Sequence, residues 1–370
     1  MKTRGFIFMM VPKVSVIVPL YNRRAYIQQA MDSVLNQSLK DIEVILLDNQ
    51  STDGGYEFCL ERYGMHPNVQ IIRHKHQMGL GDSRNFGMSL SRGKYIAFLD
   101  SDDMYNATGL QTMYEIAEQH NAEVVHASGW LVSEDEHGSV IKPESKFRPI
   151  LGDSPPVTKV EFLTTNTVER LNLMLKRKLC VNVWSKIYLR DYLVKNEITS
   201  PDILNEDVPF TLLNMLYAQR YVRVPMIWNI YRIAPDSLSH RFKKADFLPR
   251  LIDSVMKAMK FLDYHLKRSE FFAANPNNLV TFKEFFLMDL FQFHIFGSRM
   301  YSNDSLENLK AASRQELGKY FDEHLDLVQF LFTFMNVFNS NAQRLTIENA
   351  ALKQEVARLQ QQCKALTEAK

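Results

Sequence analysis

Cysteine is scarce in these 370 residues: Cys59, Cys180 and Cys363 are the only three, odd in number and far apart. That excludes a disulfide framework and the paired spacing of a zinc site, and it predicts a reducing, cytoplasmic setting. Net charge is nearly absent as well, at +2, so no nucleic-acid partner is expected. No run approaches the ~18 uninterrupted apolar residues of a membrane span. The N-terminal FIFMMV follows Lys2 and Arg4, but it is too short for a signal peptide and lacks a small-residue cleavage site. Translation is expected to start at Met9 or Met10. What is present, 46% hydrophobic and 23% charged residues, suits a soluble globular protein of two or three domains.

The first third alternates. VSVIV (14–18), IEVILL (42–47), VQIIR (69–73) and KYIAFL (94–99) are short, largely apolar, β-branched runs. Between them RAYIQQAMDSVLNQ, GGYEFCLERYG and GDSRNFGMSLS carry helical spacing. This predicts an α/β fold, a parallel sheet with helices on both faces, whose ligands bind beyond the carboxyl ends of the strands. The unusual residues fall at that edge: PLYN after the first strand, DNQSTD after the second, LDSDD after the fourth.

Several readings of these clusters fail on the residues. A dinucleotide turn needs G-x-G-x-x-G after the first strand, which PLYNRR lacks; GLGDSR has Arg84 in place of the third glycine. An EF-hand starting at Asp100 would have Tyr105 instead of glycine and Gln111 instead of glutamate. A haloacid-dehalogenase-like phosphotransferase prefers Thr or Val where Met104 stands. Solvated helix caps would account for one acidic cluster, less well for matching clusters on neighbouring strand ends.

The stretch VSVIVPLYNRRAYIQQAMDSVLNQSLKDIEVILLDNQSTDGG, followed by GLGDSRNFGMSLSRGKYIAFLDSDD, resembles the nucleotide-binding half of a family 2 glycosyltransferase with the GT-A fold. The resemblance covers 13–103 and resumes over 184–240, where VWSKIYLRDYL, NEDVPF and IYRIAPDSLSH are similar to the acceptor half. Two departures stand out. Asp48-Asn49-Gln50-Ser51 replaces the common Asp-Asp-Gly-Ser, and Gln77 replaces a usual Asn.

The resemblance implies an inverting, metal-dependent glycosyltransferase moving a sugar from a nucleotide-sugar to a hydroxyl of a glycan or lipid-linked acceptor, in building a bacterial surface glycan. Its implied fold is a Rossmann-like, mostly parallel sheet with flanking helices. Asp102 would coordinate Mn²⁺ or Mg²⁺, which prefer hard carboxylate oxygens completed by phosphates, and Asp100 would face the ribose. Asp103 either shares the metal or caps a following helix. Asp48 would accept the N3–H of uracil, which favours a UDP-sugar, with Pro19 and Tyr21 in the nucleotide wall. Arg84 sits near the start of a helix expected after Gly81, with Asp82 or Ser83 as caps. It would fork onto base or phosphate oxygens, or else form a plain surface ion pair. Asp207 is the expected general base, with Glu206 beside it. Arg232 and His240 would hold the diphosphate, His240 even as a metal ligand, or else serve as structural side chains. Trp184 belongs to the acceptor side or to the core. The different-class alternative is a catalytically silent oligomeric scaffold.

The expected domains are 10–130 for the nucleotide-sugar half, 131–240 for the acceptor half, 241–340 for a helical region and 341–370 for a coiled coil. The polar 133–156 stretch reads as a mobile excursion over the acceptor side. Phenylalanine-rich 241–340 has eight Lys or Arg against four Asp or Glu over 241–270. Two readings stand: a helical subdomain with its phenylalanines buried, or peripheral contact with an anionic membrane face. In AQRLTIENAALKQEVARLQQQCKALTEAK, Leu345, Leu352, Leu359 and Leu366 recur at heptad spacing. Taken as d positions, they put Ala342, Asn349, Val356 and Cys363 at a. Asn at a, with Glu348 at g and Lys353 at the next e, favours a parallel two-stranded coiled coil and a homodimer, with a trimer as the alternative.

Overall fold

The apolar runs of the first third become strands because both faces of the sheet are covered by helices, so no alternation with polar residues is required. The computed structural model describes residues 11–133, 157–175, 181–232, 247–279 and 282–283. Strands β1 (Val14–Leu20) and β2 (Ile42–Asp48) are buried throughout. They pair in parallel with each other. β3 (Val69–Arg73) extends the sheet beyond β2 and β4 (Tyr95–Phe98) lies on the other side of β1, both parallel. The connecting helices are α1 (Ile27–Leu35), α2 (Gly55–Tyr63) and α3 (Leu80–Leu90). α1 buries Ile27, Ala30, Met31 and Val34, the i, i+3, i+4, i+7 stripe of a helix lying on a sheet.

α3 differs from expectation at its start. It begins at Leu80 with Gly79 at the N-cap, and no side chain caps it. The physical reason is close approach: a Cβ on Gly79 would strike the Asp202 carboxylate, and one on Gly81 the Pro201 carbonyl oxygen. Asn85 and Ser200 lock this junction reciprocally. Asn85 Nδ2 donates to the Ser200 carbonyl and Ser200 N–H donates to Asn85 Oδ1, both at 2.7 Å.

Beyond β4 the sheet turns mixed. β5 (Met104–Tyr105) and α4 (Gly109–His120) follow it in the chain, then β6 (Val124–Ser133), β7 (Glu161–Phe162) and α5 (Thr167–Leu175). β8 (Lys186–Leu189), α6 (Arg190–Lys195), α7 (Asp207–Tyr217) and β9 (Tyr221–Arg232) come next. Among the described residues the order across the sheet is β3-β2-β1-β4-β8-β6-β9-β5, with β7 also on β9. β8 is antiparallel to both β4 and β6, while β6 and β9 run parallel. β5 therefore pairs with β9, not with its sequence neighbour β4. The loop 99–103 thus crosses from the middle of the sheet towards the far end of β9. The helix expected directly after Asp103 is replaced by β5, so the capping alternative for Asp103 fails.

Two further helices are α8 (Phe247–Leu266) and α9 (Glu270–Ala274). By its contacts the chain divides into two compact units, Met1–Arg241 with Met256–Ala273, and Phe242–Val255 with Ala274–Lys370. Every residue of the site lies in the first. No helix among the described residues is long and apolar enough to cross a membrane. The expected 133–156 excursion, the heptads of 341–370, His240 and the alternative start methionines lie outside the described residues, apart from the backbone of Ser133.

Candidate active site

Three loops meet at the carboxyl edge of the sheet because β1, β2 and β4 are neighbours there. The turn after β1 is tight: Asn22 has a φ of 50° and Gln50, after β2, a φ of 65°, values at which the short polar side chain of Asn is among the better tolerated. Asn22 N–H donates to Ser51 Oγ at 3.0 Å, and Asn22 Oδ1 accepts Thr52 N–H at 2.8 Å. These bonds tie the first two loops together.

At the end of β2, Asp48 is fully buried. It accepts Ser51 N–H at 3.2 Å and pairs with Arg73 Nε of the adjoining β3 at 3.2 Å. Arg73 lies over the Tyr56 ring, 4.7 Å from its centroid. Asn49 Nδ2 donates to the Met78 carbonyl and its Oδ1 accepts Met78 N–H, both at 2.7 Å. Gln50 Nε2 donates to the His74 carbonyl. The two departures from the common acidic-glycine pattern therefore pin the loop between β3 and α3. Pro19 is a buried member of β1, and Tyr21, just beyond it, is partly exposed.

The acidic loop after β4 places its three carboxylates in different surroundings. Asp100 accepts Arg84 Nη2 at 2.9 Å. Asp102 Oδ2 accepts Arg23 Nε at 3.0 Å. Asp103, almost wholly buried, receives Asn229 Nδ2 and the Arg232 backbone N–H, each at 2.9 Å. Both Asp103 oxygens thus carry donors from β9. Burial, reinforced by Asp100, pushes the Asp102 carboxyl above the usual range, and Arg23 opposes the shift. Asp103 is pushed further up by burial and by Asp102 and Asp100. The Arg232 guanidinium donates to the Asp102 carbonyl at 2.9 Å and to Gln29 Oε1.

Arg84 is the junction. Its side chain is 3% exposed and joins Asp100 through one arm and Glu206 through the other. Burial alone would lower its pKa, but Glu206 and Asp100 outweigh it and the guanidinium is held charged. Glu206 precedes α7, and Asp207 opens that helix. α7 lies against β4 through Phe210, whose ring meets Phe98 edge-on at 5.8 Å. Burial and the neighbouring Glu206 push the Asp207 carboxyl up to about 7, against the pull of Arg84. An acid poised there can take a proton at neutral pH. Trp184 is buried, its ring stacked on Tyr231 at 6.1 Å and its carbonyl accepting Trp228 Nε1 at 2.6 Å.

The donor set suits a divalent ion in one respect. Asp100, Asp102, Asp103, Glu206 and Asp207 outnumber the two arginines bonded to them through side-chain carboxylates, leaving negative charge in excess. No three His, Cys, Asp or Glu side chains among the described residues form a closed cage. One or two carboxylates with phosphates completing the shell are what Mg²⁺ usually takes. Sequence reasoning missed Arg23 and Asn229 as partners of the acidic loop; Arg84, expected to fork onto base or phosphate oxygens or to form a surface ion pair, makes buried ion pairs with Asp100 and Glu206. Arg23 carried a signal, since YNRR leaves β1 at the same edge.

The glycosyl transferase family 2 model matches residues 15–177, from β1 through α5. Over that stretch, somewhat less than half of its length, the chain is similar to family 2 glycosyltransferases. The chain is 31% identical over 232 residues to an uncharacterized glycosyltransferase, EpsJ, of Bacillus subtilis, covering 62% of this chain and 64% of that one. It is 27% identical over 210 residues to a cholesterol galactosyltransferase of Borreliella burgdorferi, covering 56% of each. It thus spans less than two thirds of either relative. The structure of S. aureus TarS 1–349 in complex with UDP-GlcNAc superposes with a TM-score of 0.60 at 19% identity, covering 90% of this chain and 92% of that one. That likeness carries the architecture, a mixed α/β sheet with flanking helices of the GT-A kind.

Proposed function

We propose that this protein transfers a sugar, with inversion, from a nucleotide-sugar to a hydroxyl of a glycan or lipid-linked acceptor. The observation that carries the reading is the Arg84 bridge, which joins the acidic loop after β4 to the Glu206–Asp207 turn of α7. One cluster suits a diphosphate and its cation, while the other holds a carboxyl near neutrality. A UDP-sugar is favoured by Asp48 at the end of β2 and by the UDP-GlcNAc complex of the TarS neighbour.

In this scheme Asp207 takes the proton of the acceptor hydroxyl as its oxygen attacks the anomeric carbon from the face opposite the leaving group. The new C–O bond forms as the bond to the diphosphate breaks, which inverts the centre. Asp102 would hold Mn²⁺ or Mg²⁺, which would supply Lewis-acid stabilisation of the charge on the departing diphosphate, while Asp100 faces the ribose. Asp103, through Asn229 and the Arg232 backbone, fixes the position of Asp102. Pro19 and Tyr21 line the nucleotide, and Asp48 and Arg73 define the end of the sheet where the base lies.

Screening nucleotide-sugars for release of nucleoside diphosphate, with and without Mn²⁺, tests the reading. Turnover of a UDP-sugar that depends on Asp207 is expected. A folded protein that neither binds UDP nor turns over any nucleotide-sugar would refute it. We place the chain in the cytoplasm, with the basic stretch 241–270 bringing it to a lipid-linked acceptor, and assign dimerisation to the 341–370 heptads. Sedimentation equilibrium of the full chain and of one ending near Ser340 should show a dimer and a monomer. Two monomers at micromolar concentration would remove the zipper.

A further inference from the structure

The two arginines that meet the acidic loop are bound differently. Arg84 is 3% exposed and spans carboxylates of two loops. Arg23 is 11% exposed, and its Nε meets Asp102 Oδ2 at 3.0 Å, while Nη1 donates to the Asn22 carbonyl at 3.1 Å. Arg23 leaves the end of β1 and Asp102 the end of β4. These strands are parallel neighbours, with Ile17 opposite Phe98. The guanidinium therefore bridges the loops that leave two neighbouring strands, at the edge where the diphosphate lies under the reading above. It also holds the one carboxylate of the loop assigned to the metal.

We propose that Arg23 is an exchange cation: it neutralises Asp102 before the donor binds, then yields that carboxylate to the divalent ion and turns its guanidinium onto a phosphate oxygen. This rests on the nucleotide-sugar reading of the site. The chemistry is a swap of ionic partners with no covalent step. A guanidinium and a hard divalent cation compete for the same oxygen, and the ion, with twice the charge, wins once phosphate completes its shell. Phosphate in turn offers the displaced guanidinium a better-matched, forked acceptor than a single carboxylate oxygen. Without Arg23, the Asp102 anion, already disfavoured by burial and Asp100, would lose its ion pair, while the nearby Arg232 guanidinium is engaged by the Asp102 carbonyl and Gln29. Arg84, committed on both arms, cannot take over.

The prediction is a pair of effects of opposite sign, which a purely structural clamp would not give. Mn²⁺ binding to the nucleotide-free protein, and UDP binding at saturating Mn²⁺, are measured by calorimetry for wild type, Arg23→Gln and Arg23→Lys. Arg23→Gln should bind Mn²⁺ about tenfold more tightly, because its competitor is gone, and UDP about tenfold more weakly. Arg23→Lys keeps the charge without the fork, so Mn²⁺ affinity stays near wild type while UDP affinity falls. It also serves if the glutamine variant does not fold. Both affinities falling together, UDP affinity unchanged in either folded variant, or no Mn²⁺ binding by any of the three proteins overturns the exchange. Wild type failing to bind UDP even with Mn²⁺ overturns the UDP-sugar reading on which this inference rests. UDP binding that ignores Arg23 overturns only this inference.

Discussion

Replacing Asp207 by asparagine should make the protein more stable while stopping sugar transfer. The carboxyl is pushed up from 3.8 to about 7 by burial and by Glu206. Below about pH 4 it is protonated in both the folded and unfolded chains, and its ionisation costs the fold nothing. Between pH 4 and 7 the unfolded chain releases the proton while the folded chain keeps it, so stability falls as pH rises. Above 7 the full cost is present. Three units at 1.36 kcal/mol each set an upper bound of about 4 kcal/mol. Asp207 is partly exposed and shares Arg84 with Glu206, so about 2–4 kcal/mol is the working range. Asparagine keeps the shape and never ionises.

Thermal melts of wild type and Asp207→Asn at pH 8 and pH 5 read this directly. The variant should melt several degrees higher at pH 8, with the gap closing towards pH 4. UDP affinity should be unchanged, since the role proposed for the carboxyl is towards the acceptor. Wild-type turnover should rise about tenfold from pH 6 to pH 8 as the base ionises. A variant that melts at or below wild type at pH 8 would refute the burial argument, and one that still transfers sugar would refute the base assignment.

Asp102→Asn should abolish Mn²⁺-dependent turnover with a melting temperature equal to or above wild type; turnover like wild type would remove the metal assignment. Arg84→Met leaves buried Glu206 without its cation, so a loss of about 3–5 kcal/mol in denaturant unfolding is expected. Arg84→Lys keeps the charge and should lose less; because Arg84 pulls the Asp207 pKa down, the turnover midpoint should shift above that of wild type in Arg84→Met and stay near it in Arg84→Lys. Asn49→Asp restores the more common residue yet should destabilise by about 1–2 kcal/mol, since a carboxylate cannot donate to the Met78 carbonyl; an unchanged melt would show that bond to be dispensable.

The first four strands were legible as largely apolar runs: Val14–Leu20 and Ile42–Asp48 are buried throughout, with Ser15, Glu43 and Asp48 their polar side chains. The second half of the sheet was not. β5 is two residues long and pairs with Ile230 and Asn229, and β8 inserts between β4 and β6. Such pairings are chosen by packing between distant segments and leave no local period. Asp48 and the acidic loop showed through by position, as polar clusters after strands, whereas Glu206 and Asp207 stood out only through the family resemblance. Their partners did not, for Arg23 and Asp102 are 79 residues apart, Arg84 and Glu206 122, and Asp103 and Asn229 126. Position in the chain says where a carboxylate stands. Only the fold says which cation or amide faces it.

That distinction explains how the chain holds so much negative charge in one place. Carboxylates as close as Asp100, Asp102 and Asp103 repel, and burial raises the cost of each. Glycine at 79 and 81 lets α3 approach the 200–202 loop, and the same helix then carries Arg84 between Asp100 and Glu206. The tight turn at Asn22 brings Arg23 over Asp102, and the long reach of β9 gives Asp103 its two donors. Each carboxylate except Asp207 therefore meets a specific donor. Burial still raises the pKa of Asp102 and Asp103, and that of Asp207 is raised to about 7, a value that suits the proposed general base at neutral pH. The site is thus tolerable to the fold for the same reason that it suits the proposed chemistry: among the described residues Asp100, Asp102, Asp103 and Glu206 each meet a donor, and the negative charge left in excess is what a divalent ion would offset.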